Sequence, residues 1–190
     1  MCGIIGIISD KQVAGPIFDG LKRLEYRGYD SAGIATLAGG QLQRRRAEGK
    51  LDALAHELET APLSGCVGIG HTRWATHGPA IEANAHPHRS EKVAVEHNGI
   101  IENYRDLKQH LMAGGAEFTS DTDTEVIAHL FSQNLRAKDD VMAAAAATFA
   151  ALDGTYAVAL IVEGLENRMI IARNGSPLAV GYGSGEMFIC

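Results

Sequence analysis

Cysteine and basic charge are both scarce in this chain of 190 residues. Its three cysteines, Cys2, Cys66 and Cys190, are an odd number at wide spacing, which argues against a disulfide framework and against a CxxC metal site. Lysine and arginine total 17 against 23 acidic residues, for a formal net charge of −6. This balance gives no reason to expect nucleic acid or an anionic membrane as a partner.

Long apolar runs are also missing from the sequence. No stretch approaches the roughly 20 apolar residues that span a bilayer. The N-terminus has no basic start followed by an apolar segment and a cleavage site, so no secretory signal is visible. With 46% hydrophobic and 21% charged residues, the composition is that of one globular domain. We therefore predict a single domain in a reducing cytoplasm.

The hydrophobic periodicity predicts strands towards both ends of the chain and most helices in the middle. The predicted strands cover residues 3–8, 32–38, 41–46, 66–73, 92–97, 155–163, 168–173 and 178–183. The predicted helices cover residues 12–25, 50–59, 103–113, 123–135 and 139–151. This order favours an α+β fold, with two antiparallel sheets between helix layers, over a βαβ series.

Four local patterns carry structural predictions of their own. Gly39-Gly40 predicts a hairpin turn, and Asn98-Gly99, taken alone, favours a tight turn. Thr122 and Glu125 resemble a capping box at the start of a helix. The run Arg44-Arg45-Arg46 is most simply a solvated strand end, although its charge could also meet a phosphate or another domain.

The most informative position is Cys2, which follows Met1 directly. A small second residue permits removal of the initiator methionine, which would leave one residue carrying both a thiol and a free α-amine. The thiolate is a strong nucleophile, and an amine with a pKa near about 8 can take its proton. Nucleophile and base then come from one residue, as in threonine/N-terminal-amine pairs. The alternative is a small apolar residue that opens a strand.

Further residues could complete a site around Cys2. Asn98 offers a side-chain N–H, and Gly99 an unhindered backbone N–H, to a developing oxyanion. Arg73, at the end of a predicted strand, has a planar guanidinium suited to a carboxylate. Asp123 could hold an amine, although an acid at a helix start also stabilises the helix dipole.

Histidines are concentrated within residues 71–97, and a zinc site has to be considered. The clustered residues are His71, His77, His86, His88 and His97. Their spacings match neither HxxxH nor HExxH, so we interpret them as hydrogen-bonding residues that line the long polar loop at 74–91, and we predict no metal. The glycine-rich segments have no GxGxxG or Walker pattern, and they are weak evidence for a phosphate loop.

These motifs resemble the glutaminase domains of glutamine–fructose-6-phosphate aminotransferases, which are class II, N-terminal-nucleophile glutamine amidotransferases. The matching strings are MCGIIGI (1–7), LKRLEYRGYDSAGIA (21–35), GHTRWATHG (70–78), NAHPH (84–88), HNGIIENY (97–104), SDTDTEVIAHL (120–130) and RNGSPL (173–178). They follow the family's order and span nearly the whole chain. Phosphoribosyl amidotransferases share the cysteine start, the Asn-Gly pair and a similar SDTE segment. The strings LEYRGYDSAG and HTRWATHG point to the sugar enzymes instead.

The resemblance implies a role for each matching residue around the nucleophile. Cys2 would attack with its own freed amine as base, and Asn98 and Gly99 would form the oxyanion hole. Arg73 would bind the glutamine carboxylate, helped by Thr76 and His77.

Three further roles are implied by the same strings. Asp123, with the Gly99 backbone, would hold the glutamine amine. Arg27 would order the loop around the nucleophile. Trp74 would lie on the path by which ammonia leaves.

The resemblance also implies a four-layer αββα sandwich of the N-terminal-nucleophile hydrolase type, with no metal or cofactor. Glutamine would be hydrolysed through a γ-glutamyl thioester, and ammonia would pass to a sugar isomerase domain. That domain would convert fructose 6-phosphate to glucosamine 6-phosphate for UDP-N-acetylglucosamine synthesis. It is absent from residues 1–190, and we expect the glutaminase domain itself to continue beyond Cys190. The full-length enzyme would be a cytoplasmic homodimer.

Three other functions stay open at this point. The chain could be the glutaminase half of a phosphoribosyl-pyrophosphate amidotransferase, which a different downstream domain would reveal. It could also be a non-catalytic glutamine-binding module that keeps Arg73 and Asp123 without a working nucleophile. If Met1 is retained, the amine of Cys2 stays in a peptide bond, and we predict that this form is inactive. A metal-binding protein built on the histidine loop is a more distant alternative.

Overall fold

The computed structural model describes residues 2–138 and 140–190. The predicted removal or retention of Met1, and the predicted start of a helix at residue 139, lie outside the described residues. The strands are β1 Gly3–Ser9, β2 Ser31–Ala38, β3 Gln41–Glu48, β4 Val67–Arg73, β5 His88–Ser90, β6 Val93–Ile101, β7 Gly154–Val162, β8 Ile170–Asn174, β9 Val180–Gly183 and β10 Glu186–Ile189. The helices are α1 Ala14–Leu24, α2 Leu51–Thr60, α3 Tyr104–Ala113, α4 Glu125–Ala137 and α5 Val141–Ala150, with short 3-10 helices at Glu25–Arg27 and Glu82–Asn84.

The strands form two antiparallel sheets. The larger sheet has the order β3-β2-β4-β1-β10-β9, and the smaller has the order β5-β6-β7-β8. Strands β1 and β4 pair with Gly3 opposite Thr72, and β2 pairs with β4 with Ser31 opposite Arg73. This register places the start of β1, the start of β2 and the end of β4 side by side at one end of the larger sheet.

Helices cover the outer face of each sheet, which gives four layers. Ile17 and Leu21 of α1 pack under the larger sheet, and Phe131 of α4 packs on the smaller one. Strand β7 is apolar on both faces, because Leu160 points to the helices while Ile161 points to the other sheet. A strand buried on both sides needs a continuous apolar run rather than an alternating one. The predicted α+β, αββα sandwich is therefore confirmed.

Close contact between α1 and β4 depends on two glycines of that strand. A Cβ at Gly68 would lie 2.8 Å from Ile17 Cδ1, and a Cβ at Gly70 would lie 2.3 Å from Ile17 Cγ2. The absence of side chains at these positions lets the helix pack directly on the strand that ends at Arg73.

Among the described residues, no helix is long and apolar enough to cross a membrane.

Some local predictions are confirmed and others are wrong. Gly39 and Gly40 join β2 to β3 with φ values of +56° and +78°, as a hairpin turn of the primed type requires. The tight turn predicted at Asn98-Gly99 does not exist, because both residues lie inside β6 and pair with Ala157 and Tyr156. The predicted 92–97 strand is therefore four residues too short at its C-terminal end.

The predicted capping box at Thr122 and Glu125 is also wrong. Helix α4 begins at Glu125, and its N-terminus has no side-chain cap hydrogen bond. The Glu125 carboxylate instead accepts hydrogen bonds from the backbone N–H groups of Thr119 and Ser120 at 2.9 and 2.7 Å. Both hydroxyls also donate to it. This carboxylate therefore fixes the loop in front of the helix rather than its first turn.

The arginine run of β3 is not a solvated strand end. Arg44 donates to the carbonyl of Pro87 at 3.1 Å, and Arg46 donates to the carbonyls of Ala83 and Ala85 at 3.1 and 2.9 Å. Burial, together with neighbouring Arg46, lowers the pKa of Arg44 to about 10. The two guanidinium groups hold the histidine-rich loop against the larger sheet.

Candidate active site

A cavity of about 640 Å³ opens where the two sheets meet at the end of β4 and β6. It gathers all nine residues that the sequence singled out. They are Cys2, Arg27, Arg73, Trp74, Thr76, His77, Asn98, Gly99 and Asp123. Cys2 precedes β1, Arg73 ends β4, and Asn98 lies in β6 of the other sheet, so the site exists only once the two sheets have packed together.

The thiol of Cys2 is held by the chain that follows β4. The backbone N–H of Trp74 donates to Cys2 Sγ at 3.2 Å, and Sγ lies 3.5 Å from the Trp74 carbonyl oxygen. Burial raises the pKa of the Cys2 thiol, while the Trp74 hydrogen bond lowers it. Asp30 raises this pKa further, and Arg73 opposes it. A thiol with a raised pKa is largely protonated near neutral pH, so attack by it requires a base.

The amide of Asn98 turns its donor side towards Cys2. Asn98 Nδ2 donates to the Cys2 carbonyl oxygen at 3.3 Å, and Asn98 Oδ1 lies 2.9 Å from His71 Nε2. The neighbouring Gly99 has a φ of +138°, and a Cβ there would lie 2.0 Å from the Thr155 carbonyl oxygen. Only glycine fits this place in the strand. Asn98 and Gly99 are thus both presented at the nucleophile by a strand and not by a turn.

Arg73 is a buried cation that already has partners. Its Nη atoms donate to the carbonyl oxygens of His77, Gly78 and Pro79. Its Nη1 lies 3.6 Å from the carboxylate of Asp30. The side chain is only 3% exposed. A bound carboxylate would therefore share this guanidinium with the loop at 77–79 or displace part of that loop.

The loop after Arg73 carries three of the predicted residues. Thr76 Oγ1 lies 3.2 Å from His77 Nδ1, and the His77 ring meets Tyr104 edge-on with centroids 5.4 Å apart. Trp74 is 46% exposed and packs edge-on against Tyr29 at 5.3 Å. The indole is thus available to a partner at the mouth of the cavity.

Arg27 reaches the cavity through a close backbone approach. Gly28, the next residue, ends the short 3-10 helix with its N–H bonded to the Glu25 carbonyl. A Cβ on Gly28 would lie 2.7 Å from the carbonyl carbon of Arg73. Gly28 therefore ends this 3-10 helix and also lets residues 27–29 lie directly against the end of β4.

Asp123 is a buried carboxylate that is fixed by the other sheet. Its Oδ2 accepts the backbone N–H of Ile101 at 2.8 Å, and it lies two residues before the start of α4.

Burial would raise the pKa of Glu125, but hydrogen bonds from His129, Thr119 and Ser120 outweigh it and hold that pKa well below the usual range. The anchored Glu125 in turn fixes the segment that carries Asp123.

Four of the five clustered histidines are buried and lie beside the cavity. The His71 and His86 rings stack with centroids 4.1 Å apart, and His86 meets His88 edge-on at 4.8 Å. His88 Nε2 bonds Thr122 Oγ1 at 3.0 Å. Burial lowers the pKa of His71 to about 3 and also lowers those of His86, His88 and His97. These rings are neutral, and His71, His88 and His97 make side-chain hydrogen bonds.

Within residues 2–138 and 140–190, no group of three or more His, Cys, Asp or Glu side chains is arranged to hold a metal ion. The interpretation of the cluster as a hydrogen-bonding layer agrees with the contacts of its rings, and the absence of a metal stays a prediction.

Sequence reasoning assigned no role to one wall of the cavity. That wall consists of Arg173, Ser176, Pro177, Leu178, Ala179 and Cys190. The string RNGSPL contains four of these residues and was a usable signal. Nothing in its composition indicates that the turn after β8 faces Cys2.

Comparisons with known proteins show which proteins this chain is similar to. A family model described as a glutamine amidotransferase domain matches residues 71–190. The whole chain is 55% identical, over 189 residues, to glutamine–fructose-6-phosphate aminotransferase [isomerizing] of Mesorhizobium japonicum and 56% identical to that of Brucella suis. It covers 31% of each of these relatives.

Solved structures share the fold over the full chain. Glutamine phosphoribosylpyrophosphate amidotransferase from B. subtilis superposes with a TM-score of 0.86 at 27% identity. A structure described as the allosteric regulatory enzyme of purine biosynthesis superposes with a TM-score of 0.85 at 30% identity. The present chain covers 41% of each of those chains.

Proposed function

Because this chain belongs to the glutamine amidotransferase domain family, we propose that it hydrolyses L-glutamine to glutamate and ammonia at Cys2. One observation supports this most strongly: a single cavity holds Cys2, the amide donor of Asn98, a buried cation and a buried carboxylate. The cation Arg73 and the carboxylate Asp123 match the two charges of a free amino acid. The cavity volume of about 640 Å³ is ample for one glutamine.

The reaction begins with attack of Cys2 Sγ on the side-chain amide carbon of glutamine. The α-amine of Cys2, once Met1 is removed, takes the thiol proton and returns it to the departing nitrogen. The carbon–nitrogen bond breaks, ammonia leaves, and a γ-glutamyl thioester remains. Water then cleaves the thioester, which releases glutamate and restores the thiol.

The tetrahedral intermediate places a negative charge on the former amide oxygen. Asn98 Nδ2 and the backbone N–H of Gly99 are the donors that would meet it. Loss of one such donor costs typically about 10²–10³ in kcat. Arg73, with Thr76 and His77, holds the substrate carboxylate, and Asp123 with the Gly99 backbone holds its amine.

The ammonia acceptor is a matter for the whole protein. The chain spans about a third of the length of the aminotransferases that it matches. We infer that a sugar isomerase domain receives the ammonia and aminates fructose 6-phosphate. Trp74 lies on the route between the two sites, and Arg27 orders the loop around Cys2. Identity of 55% to the sugar enzymes against 27% and 30% to the purine enzymes favours this acceptor over phosphoribosyl pyrophosphate. A cytoplasmic homodimer for the full-length enzyme is part of the same proposal.

The test is glutamate release from glutamine by protein whose intact mass shows that Met1 is gone. Cys2→Ala should abolish turnover, and Cys66→Ala is the matched control, because Cys66 is also free and half-buried but does not line the cavity. Protein that retains Met1 should be inactive, because its Cys2 nitrogen is an amide.

Calorimetric titration of glutamine into Cys2→Ala protein tests the remaining alternative, a non-catalytic glutamine-binding module. Binding by this variant together with turnover by the wild type supports the enzyme. Binding without turnover in the processed wild type would leave a glutamine-binding module.

A further inference from the structure

The Asn98 side chain can work as an oxyanion donor in only one of its two orientations. An amide has nearly the same shape when its oxygen and nitrogen are exchanged, so packing alone does not choose between them. We propose that His71 is a positioning residue that fixes the Asn98 amide with its N–H groups facing Cys2. This inference rests on the proposed glutaminase function and extends it to a residue that does not line the cavity.

The pattern of donors and acceptors leads to this assignment. The Cys2 carbonyl oxygen can only accept a hydrogen bond, so the Asn98 atom 3.3 Å from it must be Nδ2. Asn98 Oδ1 then faces His71, and the atom 2.9 Å from it must be a donor. His71 Nε2 therefore carries a proton.

The protonation state of His71 suits this task. Burial lowers the pKa of the ring to about 3, so that it is neutral at any pH where the enzyme would work. A neutral imidazole has one N–H, and a single tautomer therefore sets the orientation of the amide. The opposite tautomer would turn the Asn98 oxygen towards the Cys2 carbonyl and remove the oxyanion donor.

The surroundings keep the His71 ring in place. It stacks on His86 at 4.1 Å, and the loop that carries His86 is so close to β2 that a Cβ at Gly33 would lie 2.3 Å from the His86 carbonyl oxygen. Arg46 donates to the carbonyl of Ala85, immediately before His86. The clustered histidines and the arginines of β3 thus support Asn98, a residue of the oxyanion hole. The proposed mechanism by itself gives neither of these two sequence features a role.

Glutamine and asparagine substitutions form a matched pair at this position. A glutamine side-chain nitrogen reaches the place of His71 Nε2, whereas an asparagine nitrogen reaches only the place of Nδ1. We expect His71→Asn to lower kcat by about 10²-fold, as for loss of an oxyanion donor. We expect the KM for glutamine to change less than threefold, roughly, because the donor acts in the transition state. His71→Gln should recover most of kcat, and His56→Asn, at an exposed histidine, should match the wild type.

Two further readouts separate positioning from a general structural role. Alkylation of Cys2 by iodoacetamide forms no oxyanion, so its rate should be equal in His71→Asn and wild type. In an Asn98→Ala background, His71→Asn should lower kcat no further, since both changes remove the same donor. A multiplicative loss in the double variant, or equal losses in the Gln and Asn variants with unchanged thermal unfolding, would overturn the proposal.

The tautomer can be measured without turnover. Long-range proton–nitrogen NMR of histidine-labelled wild-type protein, assigned with His71→Gln, should show His71 protonated at Nε2 and neutral between pH 6 and 8. A ring protonated at Nδ1 or charged in that range would refute the positioning role even if the wild type hydrolyses glutamine. The expected tautomer in a protein without turnover would leave the His71–Asn98 pair standing and refute the glutaminase.

Discussion

The layer between the two sheets has an apolar half and a polar half, although the same strands build both. At one end the facing side chains include Leu37, Val67 and Ile161. At the other end they include His71 and Asn98, with Cys2 beside them. Ile69 and His71 are only two residues apart on β4, so the change occurs within one repeat of the strand.

The difference shows what each half needs from its neighbours. Apolar side chains stabilise the layer through area removed from water, without directional partners. Buried polar side chains need a partner for each donor and acceptor, and a missing partner costs roughly 1–3 kcal/mol. In the polar half, His71 bonds the amide of Asn98, and His88 and His97 bond threonine hydroxyls. We expect the polar half to tolerate few substitutions. Most substitutions there should lower the activity more than the stability.

The largest effect is expected at the backbone of the polar half. Gly99→Ala would place a Cβ 2.0 Å from the Thr155 carbonyl oxygen at a φ of +138°, so both β6 and β7 would have to move. Gly115→Ala is the matched control, because Gly115 also has a positive φ, +91°, but open space around it. We expect the control to lose about 1–3 kcal/mol of unfolding free energy.

Gly99→Ala should lose clearly more than this control, with little folded protein recovered. Urea titration of the two variants checks the difference. Equal losses would mean that the strand moves away from Thr155 at no cost.

In the apolar half the largest expected effect comes from a cavity. Ile69→Ala removes a fully buried side chain from the inter-sheet layer and should lower the unfolding free energy by about 2–5 kcal/mol. Met142→Ala, at a methionine that is 64% exposed on α5, should stay within about 0.5 kcal/mol of wild type. Chemical denaturation measures both. A loss below about 1 kcal/mol for Ile69→Ala would show that the two sheets close over the vacancy.

A smaller, pH-dependent effect is expected at the boundary between the halves. Glu96 lies fully buried on β6 between Ala94 and Asn98, and burial raises its pKa well above the usual range, with a partial offset from the backbone of Ile5. The folded state thus keeps a proton that the unfolded state releases above its ordinary pKa of about 4.3. Stability should therefore fall as the pH rises through and above that value.

Glu96→Gln removes this dependence. The variant should gain stability relative to wild type as the pH increases from about 5 to 9, and the difference should flatten below the ordinary carboxyl pKa of about 4.3. Thermal unfolding across this range measures it, with the exposed Glu59→Gln as control. A difference that does not change with pH would show that Glu96 is ionised in the fold.

The sequence predicted most elements and singled out residues that the structure gathers around one cavity. It failed where segments that are distant in the sequence meet. Asn-Gly is a strong turn signal, yet Asn98 and Gly99 stay in β6 because β7 pairs with them along its whole length. Tertiary pairing outweighs a local preference of this size. Glu125 matches a capping pattern, but it satisfies the backbone of Thr119 and Ser120 instead.

By itself the sequence determined the alternation of strands and helices, the Gly39-Gly40 hairpin and the chemistry available to the site. Those properties depend on periodicity and on residue type, which short stretches of chain carry within themselves. Only the tertiary structure decided that Asn98 turns its donors to Cys2, that His71 faces its oxygen, and that Arg73 shares its guanidinium with the loop after it. These are contacts between strands of different sheets or between a strand and a folded loop. Their geometry follows from how the layers pack, which no local pattern specifies.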